Sequence, residues 1–239
     1  MSLTHSPSII TDGLVLCLDA ANPKSYPGSG TIWKDLSGLG NNGTLVNGTA
    51  FSSNYNGSFL FDNTDDYVSL NSIDWNALGA TRNFTFMFGA LKTRYGTSGN
   101  NFGDSLLMVG GSNGYNSGWR ITEGSQGTPG TVFTGNQLYT FGSPSISASV
   151  LVSDTISNRM GICAFSQSGA SATGFLNGNT STASFGSYVN GTNTGTLGQS
   201  NFGVGAFGGY ISFILAYNRG LSLTEIQQNF NAYRGRFGI

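Results

Sequence analysis

The clearest periodic signal in the chain is the segment 83–91, NFTFMFGAL. Phe84, Phe86 and Phe88 recur at every second position, which places three rings on one face of a β-strand. Two other runs, 13–19 (GLVLCLD) and 209–217 (GYISFILAY), are apolar at nearly every position. Runs of this kind predict strands covered on both faces. Shorter apolar stretches predict further strands near 58–61, 67–70, 105–109, 118–122, 131–134, 148–153 and 159–166. Asn177-Gly178, at the centre of 172–183, is a two-residue hairpin signal. The loop 21–43 is rich in Gly, Asn and Pro, with Trp33 and Leu36 as apolar anchors that pin it.

Only the C-terminus carries a helical period. Ser222 and Glu225 form a capping box, with Leu221 just before the cap. Leu223, Ile226, Phe230 and Tyr233 follow at helical spacing, and Gly235 supplies a left-handed stop. Residues 1–12 contain Pro7 and small polar residues and predict an extended arm, with Ile9 and Ile10 as its apolar anchors. No linker divides 13–239, so one all-β domain with one short C-terminal α-helix is expected.

Composition sharpens this picture. Gly accounts for 37 of 239 residues, and Phe and Tyr for 17 and 10. This fits many short strands joined by tight turns. Only 9% of residues are charged, against about 25% in an average domain. With a net charge of −1 there is no basic stripe to neutralise phosphates, so a nucleic-acid partner is not expected. No stretch approaches the roughly 20 apolar residues of a membrane span, and none resembles a secretory signal, so no membrane partner is expected. Cys17 and Cys163 lie in apolar runs and read as buried small hydrophobes.

Several segments together resemble the concanavalin A-like (laminin-G-like) jelly-roll family, in the variants encoded by tailed bacteriophages and marine bacteria. They are GLVLCLDAANPKSYPG, WKDLSGLGNNGTL, FDNTDDYVSL, the hairpin GFLNG and the ending GGYISFILAYNRGLSLTEIQQNFNAYRGRF. One departure is visible: such domains often carry a Trp before the hairpin, where this chain reads NRMGICAF. The resemblance implies a two-sheet antiparallel jelly-roll sandwich. Members of the family range from lectins to glucanases to structural modules, so the fold leaves the function open.

Glucanases of this fold use paired carboxylates. The chain has two glutamates, and Glu225 is taken up by the helix cap, leaving Glu123 without a neighbouring acid. Asp65 and Asp66 are adjacent and would point to opposite faces of a strand. Catalysis is therefore not expected. The single histidine, His5, sits in the arm and has no rigid support for a catalytic role.

The candidate sites are of a binding kind. Asp62 and Asp65, with Asn63 and Asp66, offer hard oxygens for a calcium ion at a rim; the same residues also suit a turn that bonds its own backbone. Trp119 and Tyr115, flanked by Asn113 and Asn116, could stack on a sugar and fix its hydroxyls, with Trp75 as a further aromatic candidate; core or loop packing is the alternative for all three rings and the commoner one for the two Trp. The leading expectation is a non-catalytic virion structural protein, a capsid decoration or tail-associated module. It would be made in a host cytoplasm, form homo-oligomers and contact other virion proteins through Ile9 and Ile10, with a surface able to adhere to glycans. The alternative is a lectin-like module that binds a host or environmental polysaccharide. A glycoside hydrolase is the third reading. Apart from calcium, no cofactor is implied.

Overall fold

The computed structural model of the chain describes residues 7–94, 104–109, 118–123, 136–141, 160–184, 194–199 and 206–239. Its strands, in chain order, are β1 (Leu14–Asp19), β2 (Ile32–Trp33), β3 (Gly43–Val46), β4 (Ala50–Ser52), β5 (Ser58–Asp62), β6 (Tyr67–Ser69), β7 (Asn83–Arg94), β8 (Asp104–Val109), β9 (Gly118–Glu123), β10 (Asn136–Phe141), β11 (Gly161–Ser168), β12 (Ser171–Leu176), β13 (Asn179–Ser184), β14 (Gly195–Leu197) and β15 (Gly208–Tyr217). Two helices are α1 (Trp75–Ala80) and α2 (Leu223–Phe237). The expected strands at 131–134 and 148–153 lie outside the described residues.

The strands form two antiparallel sheets, as an all-β sandwich requires. One sheet runs β13-β12-β11-β7-β15-β5-β4, and β1 also pairs with β15. The other runs β10-β9-β8-β14-β6-β3-β2. Phe84, Phe86 and Phe88 all enter the core between the sheets, together with Trp33, Phe59, Phe61, Leu107 and Phe165. The opposite face of the first sheet, here the outer face, carries a second core under α2, built from Met87, Ile162, Phe175, Phe213, Leu215, Ile226 and Phe230. β1, β11 and β15 are thus covered on both faces, which is why 13–19 and 209–217 lack alternation. Cys17 and Cys163 are buried, form no disulfide, and pack in different cores.

One bulge organises the centre of the sheet. Ile211 pairs with Ala90 and Phe213 with Gly89, so Ser212 is the extra residue. The insertion changes the phase of β15: Ile211 faces the inter-sheet core, Phe213 faces α2, and Ile214 faces the inter-sheet core again. Phe213 lies flat against the sheet because its neighbour is Gly89, where a Cβ would come within 2.5 Å of the ring. Tyr233 stacks on Phe213 at 3.9 Å and 16°. Arg236 passes beside these rings, donating to both carboxylate oxygens of Asp19 (2.7 and 3.0 Å) and to Ser212 Oγ (2.8 Å). Ser212 Oγ in turn donates to the carbonyl of Gly57 at 2.6 Å. One guanidinium therefore ties α2 to β1, to the bulge and to the turn before β5.

The capping box forms as expected: Ser222 Oγ accepts from the Glu225 amide, and a Glu225 carboxylate oxygen accepts from the Ser222 amide. The helix ends later than the sequence suggests. Gly235 is helical and surrounded by open space, and Gly238 takes the left-handed cap at φ 69°. Leu223 stays half exposed, and the stripe includes a buried Asn229 that the apolar period could not show. α1 was not expected; its signal is Asp74, whose side chain caps the Ala77 amide at 3.0 Å.

The described part of the arm lies on α2. Ile10 donates its amide to Asn229 Oδ1 (2.8 Å) and accepts from Tyr217 Oη (2.9 Å), while Gln228 donates to the Ser8 carbonyl (2.8 Å). Ile9 and Ile10 are partly buried against the outer core of the same chain.

Two outcomes follow. Arg236→Ala leaves the Asp19 carboxylate buried without its cation and should lower unfolding stability by roughly 3 kcal/mol in urea denaturation. Secondly, the hydrogen bonds from Arg219 hold the Glu225 carboxyl down, from 4.5 to about 2. Because the folded value is depressed, this stabilisation is complete above 4.5 and is lost as pH falls towards 2. Glu225→Gln should flatten that limb of a stability–pH curve.

Candidate functional site

The turn that carries the chain from β5 in one sheet to β6 in the other gathers the acidic residues. Asp62 closes β5 on its exposed face, since Phe59 and Phe61 point into the core and Leu60 and Asp62 point away. Asp62 Oδ1 accepts from the amides of Thr64 (2.7 Å) and Asp65 (3.4 Å). Asp66 is buried, and its Oδ2 accepts from the Asp62 amide at 2.9 Å. Burial pushes the Asp66 carboxyl above its ordinary range, against that hydrogen bond. Asn63 takes φ 69° and donates its amide to the Phe207 carbonyl at 3.2 Å. Asn47, from the loop between β3 and β4, donates to the Asp65 carbonyl at 3.0 Å. The expected self-bonded turn is therefore present.

The same geometry fits a hard cation. Asp62, Asp65 and Asp66 each bring one carboxylate oxygen within 4.8 Å of the others, and Asp62 and Asp65 are exposed. Ligands on opposite sides of a calcium ion at about 2.4 Å lie roughly 5 Å apart. Asn63 Oδ1, in the same turn, is buried and has no hydrogen-bond partner, which leaves a further hard oxygen acceptor. Asp62 and Asp65 are the residues that would hold the ion, with Asp66 and Asn63 behind them.

The aromatic candidates do not join this turn. Trp119 lies in β9, paired with Val109 and Thr140. β8 and β14 separate β9 from β6. The Trp119 row runs through Val109 to Gly195, whose carbonyl accepts from Leu70, beyond the far end of β6 from the acidic turn. Asn113, Tyr115 and Asn116 lie outside the described residues. Trp75 is fully buried: its Nε1 donates to the Leu70 carbonyl at 3.0 Å, and its ring packs against Gly195 and Phe86. It is a core residue, not a platform. Trp33 is equally buried, edge-on to Phe59 at 4.6 Å, and anchors its loop as expected.

The loop after β1 is ordered by Asp35, which accepts from the amides of Cys17, Ser37 and Asn41 and from Ser37 Oγ. A groove of about 590 Å³ lies between α2 and the β12–β13 hairpin, lined by Thr180, Thr224, Gln227 and Asn231 without a charged side chain. No described helix is long and apolar enough to cross a membrane.

No protein-family model matches the sequence, and no curated protein matches it. The fold matches solved structures. Domain 4 of AbnA, a GH43 extracellular arabinanase from Geobacillus stearothermophilus, solved in complex with arabinotriose, superposes with TM-score 0.64 at 13% identity. That match covers 92% of this chain and 98% of the domain. The binding domain of botulinum neurotoxin DC, in complex with SialylT, gives TM-score 0.60 at 13% identity over 95% of this chain and 52% of its own length. Trypanosoma rangeli sialidase in complex with the inhibitor DANA gives 0.60 at 12% identity, over 95% of this chain and 35% of its own. The chain thus spans one whole domain of the arabinanase and about half of the toxin binding domain. At these identities the likeness establishes the fold alone: an all-β sandwich of two antiparallel sheets.

A readout specific to the turn follows. Calcium at millimolar concentration should raise the melting temperature of the protein. Asp65→Asn, at an exposed ligand position, should remove that rise while leaving the calcium-free melting temperature unchanged in differential scanning fluorimetry.

Proposed function

We propose that this chain is a non-catalytic carbohydrate-binding module, the lectin-like alternative of the sequence reading. The observation that carries the proposal is the end-to-end match to a domain of its own size solved with arabinotriose bound, on a chain whose acidic rim suits ion-assisted binding better than hydrolysis. Glycosidases hold their two carboxyl groups about 5–5.5 Å apart to retain configuration and about 6.5–9.5 Å apart to invert it. The carboxylates of Asp62 and Asp66 bond their own turn, and the cluster with Asp65 has no glutamate or histidine beside it among the described residues. Jelly-roll rims bind sugars through hydroxyls that meet carboxylates, amides and a hard cation. The exposure of Asp62 and Asp65 supports that reading.

The test is a glycan array of arabinans, β-glucans and sialylated oligosaccharides, probed in calcium and in EDTA. At least one class should bind in calcium, and no reducing ends should be released on overnight incubation. Absence of binding to every glycan in both buffers would refute the module, and steady product release would refute its non-catalytic character. A virion structural role, as decoration or tail component, is a second reading. The 9% charge content favours it, since weakly charged surfaces offer little repulsion to assembly. Peptides of this chain in the mass spectrum of purified particles would support it.

A further inference from the structure

α2 covers only part of the outer face of the first sheet. Phe213, Leu215 and Tyr217 of β15 lie in the core under it. Tyr210, earlier on the same strand, stays outside that core. It pairs with Leu60 of β5, which is 37% exposed, and paired residues share a face. The outer apolar surface thus continues past the helix and stays half open to solvent.

A constrained turn brings a second ring to this spot. Asn54–Asn56 form a single 3-10 turn between β4 and β5 in which Tyr55 (φ 56°) and Asn56 (φ 60°) are both left-handed. Two such non-glycine residues in succession are unfavourable unless their surroundings hold them. The turn is held from four sides. Ser52 Oγ accepts from the Asn54 amide (3.1 Å), Ser58 Oγ donates to the Asn54 carbonyl (3.0 Å), and Asn56 donates to the Arg236 carbonyl (2.7 Å). Gly57 follows at φ 108°, against the backbone of Ala21, where a Cβ would come within 2.6 Å. The result is Tyr55 set edge-to-face on Tyr210, with ring centroids 5.1 Å apart at 65°. Asn54 Nδ2 donates to Tyr210 Oη at 3.2 Å. That bond leaves the Tyr210 hydroxyl hydrogen and Asn54 Oδ1 to serve a ligand.

We propose that Tyr55, Tyr210, Leu60 and Asn54 form a saccharide platform on the outer face of the sheet, taking one neutral pyranose or furanose unit of a chain across the rings. The inference rests on the carbohydrate-binding reading and gives it a second location, separate from the acidic turn. The apolar C–H face of a sugar suits the rings and Leu60, and its hydroxyls suit a phenol and a primary amide. None of the four residues is charged, which matches an uncharged ligand. Packing alone would need neither the left-handed pair nor the amide.

The test titrates ¹⁵N-labelled full chain with arabinotriose, cellohexaose and laminarihexaose. Amides of 52–60 and 208–212 should shift with at least one sugar. Tyr210→Ala and Tyr55→Ala should weaken that sugar about tenfold or more, while Tyr55→Phe, which keeps the ring, should weaken it less than about threefold. Unchanged shifts elsewhere in the spectrum confirm that each variant is folded. If a sugar binds but the shifts map to the acidic turn, or both alanine variants bind normally, the platform is overturned and the carbohydrate reading stands. If none of the three sugars moves any amide, the platform is overturned; the array then decides the wider reading on its own.

Discussion

The arrangement depends on one extra residue in the central strand. Ser212 interrupts the ladder between β15 and β7, and with it β15 exchanges which side chains face each core. Without that phase change Phe213 would point between the sheets and α2 would lose the ring on which Tyr233 stacks. A buried hydroxyl in a bulge needs partners, and it has two: the Gly57 carbonyl and the Arg236 guanidinium. The guanidinium needs a counter-charge, which Asp19 supplies from β1. β1 and β5 share one edge of β15, meeting it at Phe213 and Ile211 respectively, so this node stands where the two strands give way to each other.

The consequences reach the surface. By fixing the end of α2, the node decides how much of the outer sheet face is covered and where the cover stops. The Arg236 carbonyl also receives Asn56, so the helix terminus and the left-handed turn carrying Tyr55 are held by the same residue. The acidic turn is independent of this network. It is built where β5 leaves one sheet for β6 in the other, and its carboxylates converge because a short crossover must bond its own amides. The two surfaces adjoin along β5, where Leu60 and Asp62 share its exposed face, and the acidic turn also bonds Phe207, just before β15.

Much of this was legible in order along the chain. The Phe84–Phe86–Phe88 alternation, the doubly covered strands, the Asn177-Gly178 hairpin and the Ser222/Glu225 cap are local patterns, and local patterns survive folding when burial agrees with them. The acidic turn was legible for the same reason, since its residues lie within five positions. Trp75 could be read along the chain as either packing or platform because a sequence shows an aromatic ring and not its neighbours; Gly195, distant in sequence, leaves the space that buries it in the core. Asn229 and Arg236 were invisible because a polar residue on a helix reads as solvated until a buried hydroxyl or carboxylate is brought to it.

The sequence by itself determined the longer strands such as β1, β7, β11 and β15, the C-terminal helix and its cap, and the oxygen-rich turn, because each follows from residues close enough to interact along the backbone; β2, β3, β4, β10 and β14 carry no such local signal, and β2 lies inside the stretch expected as a loop. Tertiary structure alone decided the Ser212 phase change, the pairing of Tyr55 with Tyr210, and the point at which the helix leaves the sheet bare. Each of these joins residues some 150 or more positions apart, or requires knowing which strand lies opposite, and no periodicity encodes that.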